Sequence, residues 1–492
     1  MGGLFGVKYA NSKLLLSHAK YPRLSKLRFL RHWLHRRRYP ERYAQLEILL
    51  RNQALSRADL LCKQQADFTG IVAHAAAHVP YFAECLRDIP GSSSRCRPGS
   101  SAGDPLDLGL HRDDGVESSW ISPSGLKSIP LLEKDSVRER LYDLLALDAN
   151  RSQVKLGHTG GSTGKPLAFW YDEAKHELMR AGMMRGFMMS GWRPGQKVLN
   201  FWGAQQDVVA GGVFGSGWGA GLGAIWSDWV AAEKTIAATE FSPTKLLEWA
   251  RFIQAYKPVL LYGYASAMSE LARFVIAEKL KMPRSLIGVY ATAEVLTDTQ
   301  RDLMQQAFGC KVFNQYGCRE VPNIAWECRH GNMHVFADLV VLESERIDGD
   351  DQLIVTSLTN RLMPFIRYKL GDSGRLLDGV CACGSPFPLM EMGMCRQNDW
   401  IRGQAGQRIH PGVFNRMLDG QTQIRQYQWV QHALDRIELN LVASERLSPE
   451  TQAALADKIR QAMRADVMLE VNYLDAIPRT FSGKQRFVIG MG

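Results

Sequence analysis

The chain has 492 residues, 46% hydrophobic and 22% charged, an ordinary globular composition with enough length for more than one domain. No apolar run approaches the roughly 20 residues that cross a bilayer, and the opening MGGLFGVKYANSK lacks the order and cleavage site of a secretory signal. The formal charge of +10 sits at one end: residues 1–60 hold 13 Lys+Arg and 3 Asp+Glu, while the other 47 basic and 47 acidic residues cancel, which argues against nucleic acid as a partner.

Residues 1–60 read as a basic helical segment in which Leu24, Leu27, Leu30, Trp33 and Leu34 form one apolar stripe, broken at Pro40. The pattern favours a helix packed on the body with its charges in water. The alternative is a docking helix for an acidic carrier protein or an anionic membrane surface. Residues 62–90 read as one further helix, and 91–125, containing GSSSRCRPGSSAGDP, as a mobile surface loop. Glu133-Lys134-Asp135 precede another helix.

KLGHTGGSTGKPLAFWY, residues 155–171, interleaves Gly160, Gly161 and Gly164 with Thr159, Ser162 and Thr163 and ends in Lys165-Pro166. Glycines let backbone N–H groups close around phosphate oxygens, hydroxyls add donors, and Lys165 adds charge. The kinase and ATPase loop G-x-x-x-x-G-K-[ST] is excluded, because Thr159 stands where its first glycine belongs and Pro166 where its metal-binding hydroxyl belongs. A phosphate-cradling loop of another kind remains.

EAKHELMRAGMMRGFMMSGW reads as an amphipathic helix whose methionines fill core, and KVLNFWGAQQD as a buried strand. From 240 to 340 helix and strand alternate in the rhythm of βαβ units, predicting an α/β fold with a largely parallel sheet and helices on both faces. Ligands of such sheets lie at strand carboxyl ends, where ATAE (with Ala293 and Glu294) and NQYGCRE (with Gln315, Tyr316, Gly317 and Glu320) fall. QLIVTSLTN and FIRYKLGDSGRLL read as strands with an acid, Asp372, in the turn. At CRQNDW the organisation changes, and the rest reads as β-β-α-β. The expected division is a basic segment 1–60, a large domain 61–396 and a small α+β domain 397–492.

These stretches resemble the adenylate-forming superfamily of acyl-CoA ligases and adenylation domains. TGGSTGKP is similar to its signature loop, NQYGCRE to its N-x-Y-G-x-T-E element with Arg319 in place of threonine, FIRYKLGD to Y-R-T-G-D, and PRTFSGKQR to P-R-x-x-x-G-K-x-x-R. The resemblance is closest to the phenylacetate-CoA ligase and capsule-biosynthesis-protein-like branch, through HAAAHVPYFAE, SIPLLEKDSVRE, ATAEVLTDTQRDLM and GQRIHP. It implies a large α/β domain with a mobile C-terminal lid, ATP and Mg²⁺ as cofactors, and coenzyme A as co-substrate. It also implies roles: Tyr316 against adenine, Glu320 on magnesium, Asp372 on the ribose hydroxyls, Arg396 as a second ribose contact before the hinge, and Lys484 as the lysine that enters the active site. The substrate-pocket candidates are Phe201, Trp202, Gly203, Tyr262 and Gly263, whose aromatic walls suit an aryl or medium apolar acid.

Nine cysteines, an odd number, predict reduced thiols and a cytoplasmic location. Cys328, Cys381 and Cys383 with one histidine would make a closed tetrahedral zinc site, a cluster the same branch implies; the glycine turn in ECRHGNMH favours His334 over His330. The expected activity is ATP-dependent activation of a carboxylic acid as its acyl-adenylate, followed by transfer to a thiol. An amide synthetase, a carrier-protein loader and a non-catalytic nucleotide-binding scaffold are the alternatives.

Overall fold

The computed structural model describes residues 22–491 except 88–126, 160–166, 203–228, 239–240, 348–349, 397–400, 479–485 and short stretches between 405 and 422. The expected surface loop 91–125, the loop residues Gly160, Gly161, Ser162, Thr163, Gly164 and Lys165, the pocket candidate Gly203, and Lys484 lie outside the described residues.

Helices α1 (Pro22–Arg38) and α2 (Pro40–Asn52) are separated at Tyr39 because Pro40 has no N–H to continue the first and is suited to open the second. Helix α2 is part of the body. Tyr43, Leu46 and Leu49 are buried, and Arg42 donates two hydrogen bonds to Glu177, at 2.9 and 2.7 Å, with both side chains out of solvent. Part of the stripe expected on α1 faces water: Leu30 and Trp33 are 43% and 42% exposed, Leu34 is half-buried, and the side chains of Leu24 and Leu27 lie outside the described residues, while Arg31 is buried. The single helix expected over 62–90 is two, α3 (Arg57–His78) and α4 (Pro80–Cys85), because Pro80 cannot donate to the preceding turn. Ser56 caps α3 by accepting from Asp59 N.

After the short α5 (Lys134–Glu139), strands β1 (Lys155–His158) and β2 (Ala168–Tyr171) pair antiparallel on either side of the glycine-rich loop. Helix α6 (Glu173–Met189), capped by Asp172, buries Met183 and Met184 as the sequence predicts. It also buries Glu177, Arg180 and Arg185, each in an ion pair, with Arg185 forked onto Asp338 at 2.7 and 2.9 Å.

Strands β3 (Val198–Trp202), β4 (Glu233–Ala237), β5 (Leu260–Tyr264), β6 (Gly288–Thr292) and β7 (Lys311–Tyr316) run parallel in the order β4-β3-β5-β6-β7. Helices α7 (Pro243–Tyr256), α8 (Ala265–Ala277) and α9 (Asp298–Phe308) lie between them in sequence. Ser242-Pro243 opens α7, and a capping box of Thr297 and Gln300 opens α9, which Gly309 ends in the left-handed region. Alternation then sorts the side chains: Leu199, Phe201, Leu261, Val289 and Val312 share a core with α7–α9, while Val198, Leu260, Tyr262, Tyr290 and Phe313 share the main core with α3 and α6.

The sheet is less parallel than expected. Past Tyr316 the long helical crossovers stop, and short connections allow only antiparallel neighbours. Strands β8 (Ala325–Glu327), β9 (Met333–Val335), β10 (Val340–Ile347), β11 (Asp350–Ser357), β12 (Tyr368–Leu377) and β13 (Leu389–Arg396) extend it to eleven in the order β10-β11-β12-β13-β9-β8-β7-β6-β5-β3-β4. The whole is a mixed α/β architecture.

Beyond Arg396 come the pair β14 (Ile401–Arg402) and β15 (Arg408–Ile409), then β16 (Ile424–Ala433), β17 (Arg436–Ala443), α10 (Pro449–Met463), β18 (Met468–Tyr473) and β19 (Val488–Ile489), with sheet order β18-β17-β16-β19. Phe414, Trp429, Leu439, Ile459 and Val488 form a core separate from those of the larger sheet. Polar contacts join it to α8: Arg273 Nη2 donates to Arg425 O at 3.1 Å and Gln426 Nε2 to Glu270 Oε1 at 3.0 Å. Among the described residues no helix is long and apolar enough to cross a membrane.

Candidate active site

The carboxyl ends of β6 and β7, the neck of the β1–β2 hairpin and the first half of β12 meet at one place. Thr159 closes the hairpin neck: its N–H donates to Leu167 O and its hydroxyl accepts from Leu167 N, both at 2.8 Å. Arg319, which stands where the resembled element has threonine, reaches the same hairpin and donates to His158 O at 2.7 Å.

Tyr316 ends β7, and its hydroxyl donates to Asp372 Oδ2 at 3.1 Å. Asp372 is not in a turn, as the sequence suggested, but within β12 opposite Arg396 of β13, where the register shifts. Gly371, at φ +77°, supplies the irregularity that a side chain would resist. The turn after β7 is tight, since a Cβ on Gly317 would lie 2.9 Å from Asn323 N. It delivers Glu320 to a buried position, where Oε1 accepts from the Tyr368 hydroxyl at 3.0 Å.

Lys175, in the first turn of α6, donates from Nζ to Glu320 O at 2.8 Å and lies over the rings of Phe169 and Phe365. Burial pulls its pKa down to about 8, against the opposing influence of Cys318, Glu320 and Asp172. Burial, and next the Glu320 charge, push the Tyr368 hydroxyl up, so it stays a donor. Neither residue was among the candidates. Tyr368 had a signal, because residues 368 and 372 share one face of an alternating strand; nothing in the pattern around Lys175 marks it as withdrawn from water.

At the end of β6, Ala293 adopts φ +64°, unusual for a residue with a Cβ. Glu294 accepts from Ser266 N at 2.8 Å and Ser266 Oγ at 2.9 Å, placing its carboxylate at the amino end of α8. Gln315 Oε1 accepts from the hydroxyls of Thr292 and Tyr262 in the buried interior.

The pocket candidates divide. Trp202 stacks on Tyr262, with centroids 6.0 Å apart and planes at 20°, and Tyr262 in turn stacks on Trp326. Phe201 has 0% exposure and packs against Trp249 beneath α7. It therefore belongs to the core on the far face of β3 and not to a pocket wall. Gly263 is needed for strand packing, since a Cβ there would lie 2.3 Å from Phe201 O.

A second cluster lies where β8, β9 and the turn before β13 converge. Cys328 Sγ, Cys381 Sγ, Cys383 Sγ and one nitrogen of His334 all fall within 4.8 Å of one another. Cys328 and Cys381 sulfurs are 3.6 Å apart, and Cys383 Sγ is 3.3 Å from His334 Nε2. The other ring nitrogen, Nδ1, faces Phe387 O at 3.4 Å, leaving Nε2 toward the sulfurs. The turn Cys328–Asn332, with Gly331 at φ +84°, brings His334 back beside Cys328, while the His330 N–H donates to Cys328 Sγ at 3.4 Å. Tetrahedral zinc bonded to sulfur and nitrogen holds its donors about 3.4 to 3.8 Å apart, so the donor set fits zinc with small adjustment.

Residues 401–490 match the CapK C-terminal domain family. The chain is 23% identical to Protein CapK of Staphylococcus aureus over 77% of this chain and 83% of the relative. It is 26% identical to a phenylacetate-coenzyme A ligase of Thermus thermophilus over 70% and 80%. Its fold is similar to that of a 2-hydroxyisobutyryl-CoA ligase crystallised in the postadenylation state with an acyl-AMP, with a TM-score of 0.65, 18% identity, and 90% and 91% of the two chains covered.

Proposed function

We propose, for a chain whose homologues are CapK and the phenylacetate-coenzyme A ligases and whose fold is that of the adenylate-forming enzymes, that it is an AMP-forming acid–thiol ligase. A carboxylic acid attacks the α-phosphorus of ATP, pyrophosphate leaves, and the thiol of coenzyme A then displaces AMP from the acyl-adenylate. The observation that carries this reading is the convergence of Tyr316–Asp372 and Tyr368–Glu320 beside the hairpin neck at Thr159.

In this reading Tyr316 lies against adenine while its hydroxyl orients Asp372, whose carboxylate takes the ribose hydroxyls; Arg396, whose backbone is in register with Asp372 in the β12–β13 ladder, is assigned the second contact. The loop N–H groups and Lys165 surround the phosphates, and Ala293, Glu294, Gln315 and Gly317 build the strand-end wall. Glu320 offers a hard oxygen donor fixed by Tyr368, which suits Mg²⁺; the ion would offset charge on the phosphates. Trp202 and Tyr262 give the acid an aromatic wall, suiting an aryl or medium apolar substrate. Lys484 serves the first half-reaction from the lid and leaves before the thiol enters. Zinc at Cys328, His334, Cys381 and Cys383 would tie β8 and β9 to the turn before β13 as a structural element.

Acid-dependent exchange of pyrophosphate into ATP, measured over a panel of aryl and aliphatic acids, tests the adenylation step. The mass of the product formed with coenzyme A, an amine or a phosphopantetheine arm then identifies the acceptor. Absence of exchange with every acid, in protein that binds ATP, would reduce the chain to a nucleotide-binding scaffold.

A further inference from the structure

Helix α1 keeps large apolar side chains on the side away from the body. Its body side holds Arg31, which is buried, and His35, whose pKa falls to about 3 because of burial and then the charges of Arg42 and Arg180. Its outward side holds Phe29, 61% exposed, with Trp33 one turn further on and Leu30 at the flank. A helix of 17 residues with seven Lys or Arg and no Asp or Glu has no shortage of polar side chains to show to water. Exposing its aromatic residues instead leaves apolar area uncovered, and that area stabilises only when something covers it.

The charges around it say what kind of surface that is. Arg37 lies over the Trp33 ring at 4.0 Å, and Arg36, Arg37 and Arg38 are all exposed. Trp33, Arg36, Arg37, Pro40 and Ala44 line a groove of about 530 Å³ between α1 and α2, with Glu47 the acid on its rim, paired to Arg36. Aromatic and leucine side chains interleaved with guanidinium groups match a lipid headgroup layer: rings settle at the acyl boundary while arginines meet phosphates.

We propose that the outward face of α1, centred on Phe29, Trp33 and Arg37, docks the protein on an anionic lipid bilayer. The docking is peripheral and reversible, and it stands independently of the ligase reading, because it uses none of the residues of the candidate active site.

The experiment is co-sedimentation of the full chain with vesicles of phosphatidylglycerol and phosphatidylcholine, and with phosphatidylcholine alone, at low and high salt. Binding to the anionic vesicles only, weakened by salt, is the expected result. Phe29→Ser with Trp33→Ser, and separately Arg37→Glu with Arg38→Glu, should each reduce it at least tenfold without changing the unfolding temperature. Because neither pair touches the active site, nucleotide binding serves as a fold control that does not depend on the acid substrate. No binding to anionic vesicles, or binding that the Phe29/Trp33 variant leaves intact, overturns the proposal. So does a wild-type chain that ignores vesicles but self-associates or captures an acidic protein through these same residues.

Discussion

The Tyr368 hydroxyl donates to Glu320 Oε1 at 3.0 Å while Lys175 holds the Glu320 carbonyl at 2.8 Å, so both ends of one residue are fixed by side chains from different elements. A carboxylate that must present an oxygen to a divalent ion gains from such fixing, because the orientation is set before the ion arrives. Tyr368→Phe should therefore raise the magnesium concentration needed for half-maximal pyrophosphate exchange and slow exchange by roughly 10- to 100-fold, the worth of a hydrogen bond to a charged group. An equilibrium titration of Mn²⁺ with ATP should show the same weakening. Unchanged metal dependence with slowed exchange would remove Tyr368 from this role.

Helix α2 should be inseparable from the body. Arg42 and Glu177 form a buried pair, and removing one partner strands the other charge. Arg42→Ala is expected to cost about 3 to 5 kcal/mol in denaturant unfolding, and Arg42→Met with Glu177→Leu to recover most of it. Equal losses in the single and double variants would mean that packing, not charge, governs this contact.

What could be read from the residues alone followed from how local the signal was. The strand-end clusters at 291–294 and 314–320 were legible because βαβ rhythm fixes where strands end, and Tyr316 and Glu320 do lie at that end. Phe201 was misplaced because a strand buried on both faces gives no sign of which face meets a ligand. The parallel sheet was overextended because the change to antiparallel pairing after Tyr316 depends on short connections, not on strand composition. Lys175 was invisible, since its half-buried environment arises from Phe169, Phe365 and Glu320, brought to it by three other segments. The side of α1 that faces water at Phe29 and Trp33 was equally hidden, because periodicity reports that a stripe exists and not which side the body takes.

That orientation has a pH signature. His35 accepts a proton at about pH 3 in the folded chain and near 6.5 when unfolded. Between those values the unfolded state binds more protons, so stability falls as pH falls through that window. The loss is up to roughly 1.4 kcal/mol for each unit crossed. His35→Gln should flatten this part of the wild-type stability profile between pH 6.5 and 4, measured as the difference between the two urea midpoints. Parallel profiles would mean that His35 is accessible and that α1 is not seated as described.

The cysteine cluster predicts about one zinc per purified chain, removed by Cys381→Ser. Because the four side chains join β8, β9 and the turn before β13 and include none of the residues proposed to hold the nucleotide, the variant should lose more thermal stability than rate per folded molecule. Metal-free protein with undiminished stability would show that the thiols are simply reduced and buried.

The sharpest test of the ligase reading uses Lys484 and Asp372 together. The described contacts between α8 and β16 include the hydrogen bonds of Arg273 to Arg425 O and Gln426 to Glu270, polar bonds of a kind that can be exchanged for others at modest cost. A lysine carried by the smaller part can then serve one half-reaction and withdraw for the next. Its ammonium would bridge the incoming carboxylate and the α-phosphate chiefly in the adenylation transition state, so Lys484→Ala should slow adenylation roughly 10²- to 10³-fold with little change in ATP affinity. Synthetic acyl-adenylate should bypass the defect, because the thiol attacks after the lysine has gone. Asp372 is different: it lies in β12 and is bonded to Tyr316, so the proposed mechanism keeps it at the nucleotide in both half-reactions. Asp372→Ala should weaken nucleotide binding itself and impair both half-reactions. If the Lys484 variant slowed both half-reactions equally, or neither, the rotation assigned to the C-terminal part would be wrong even with adenylation intact.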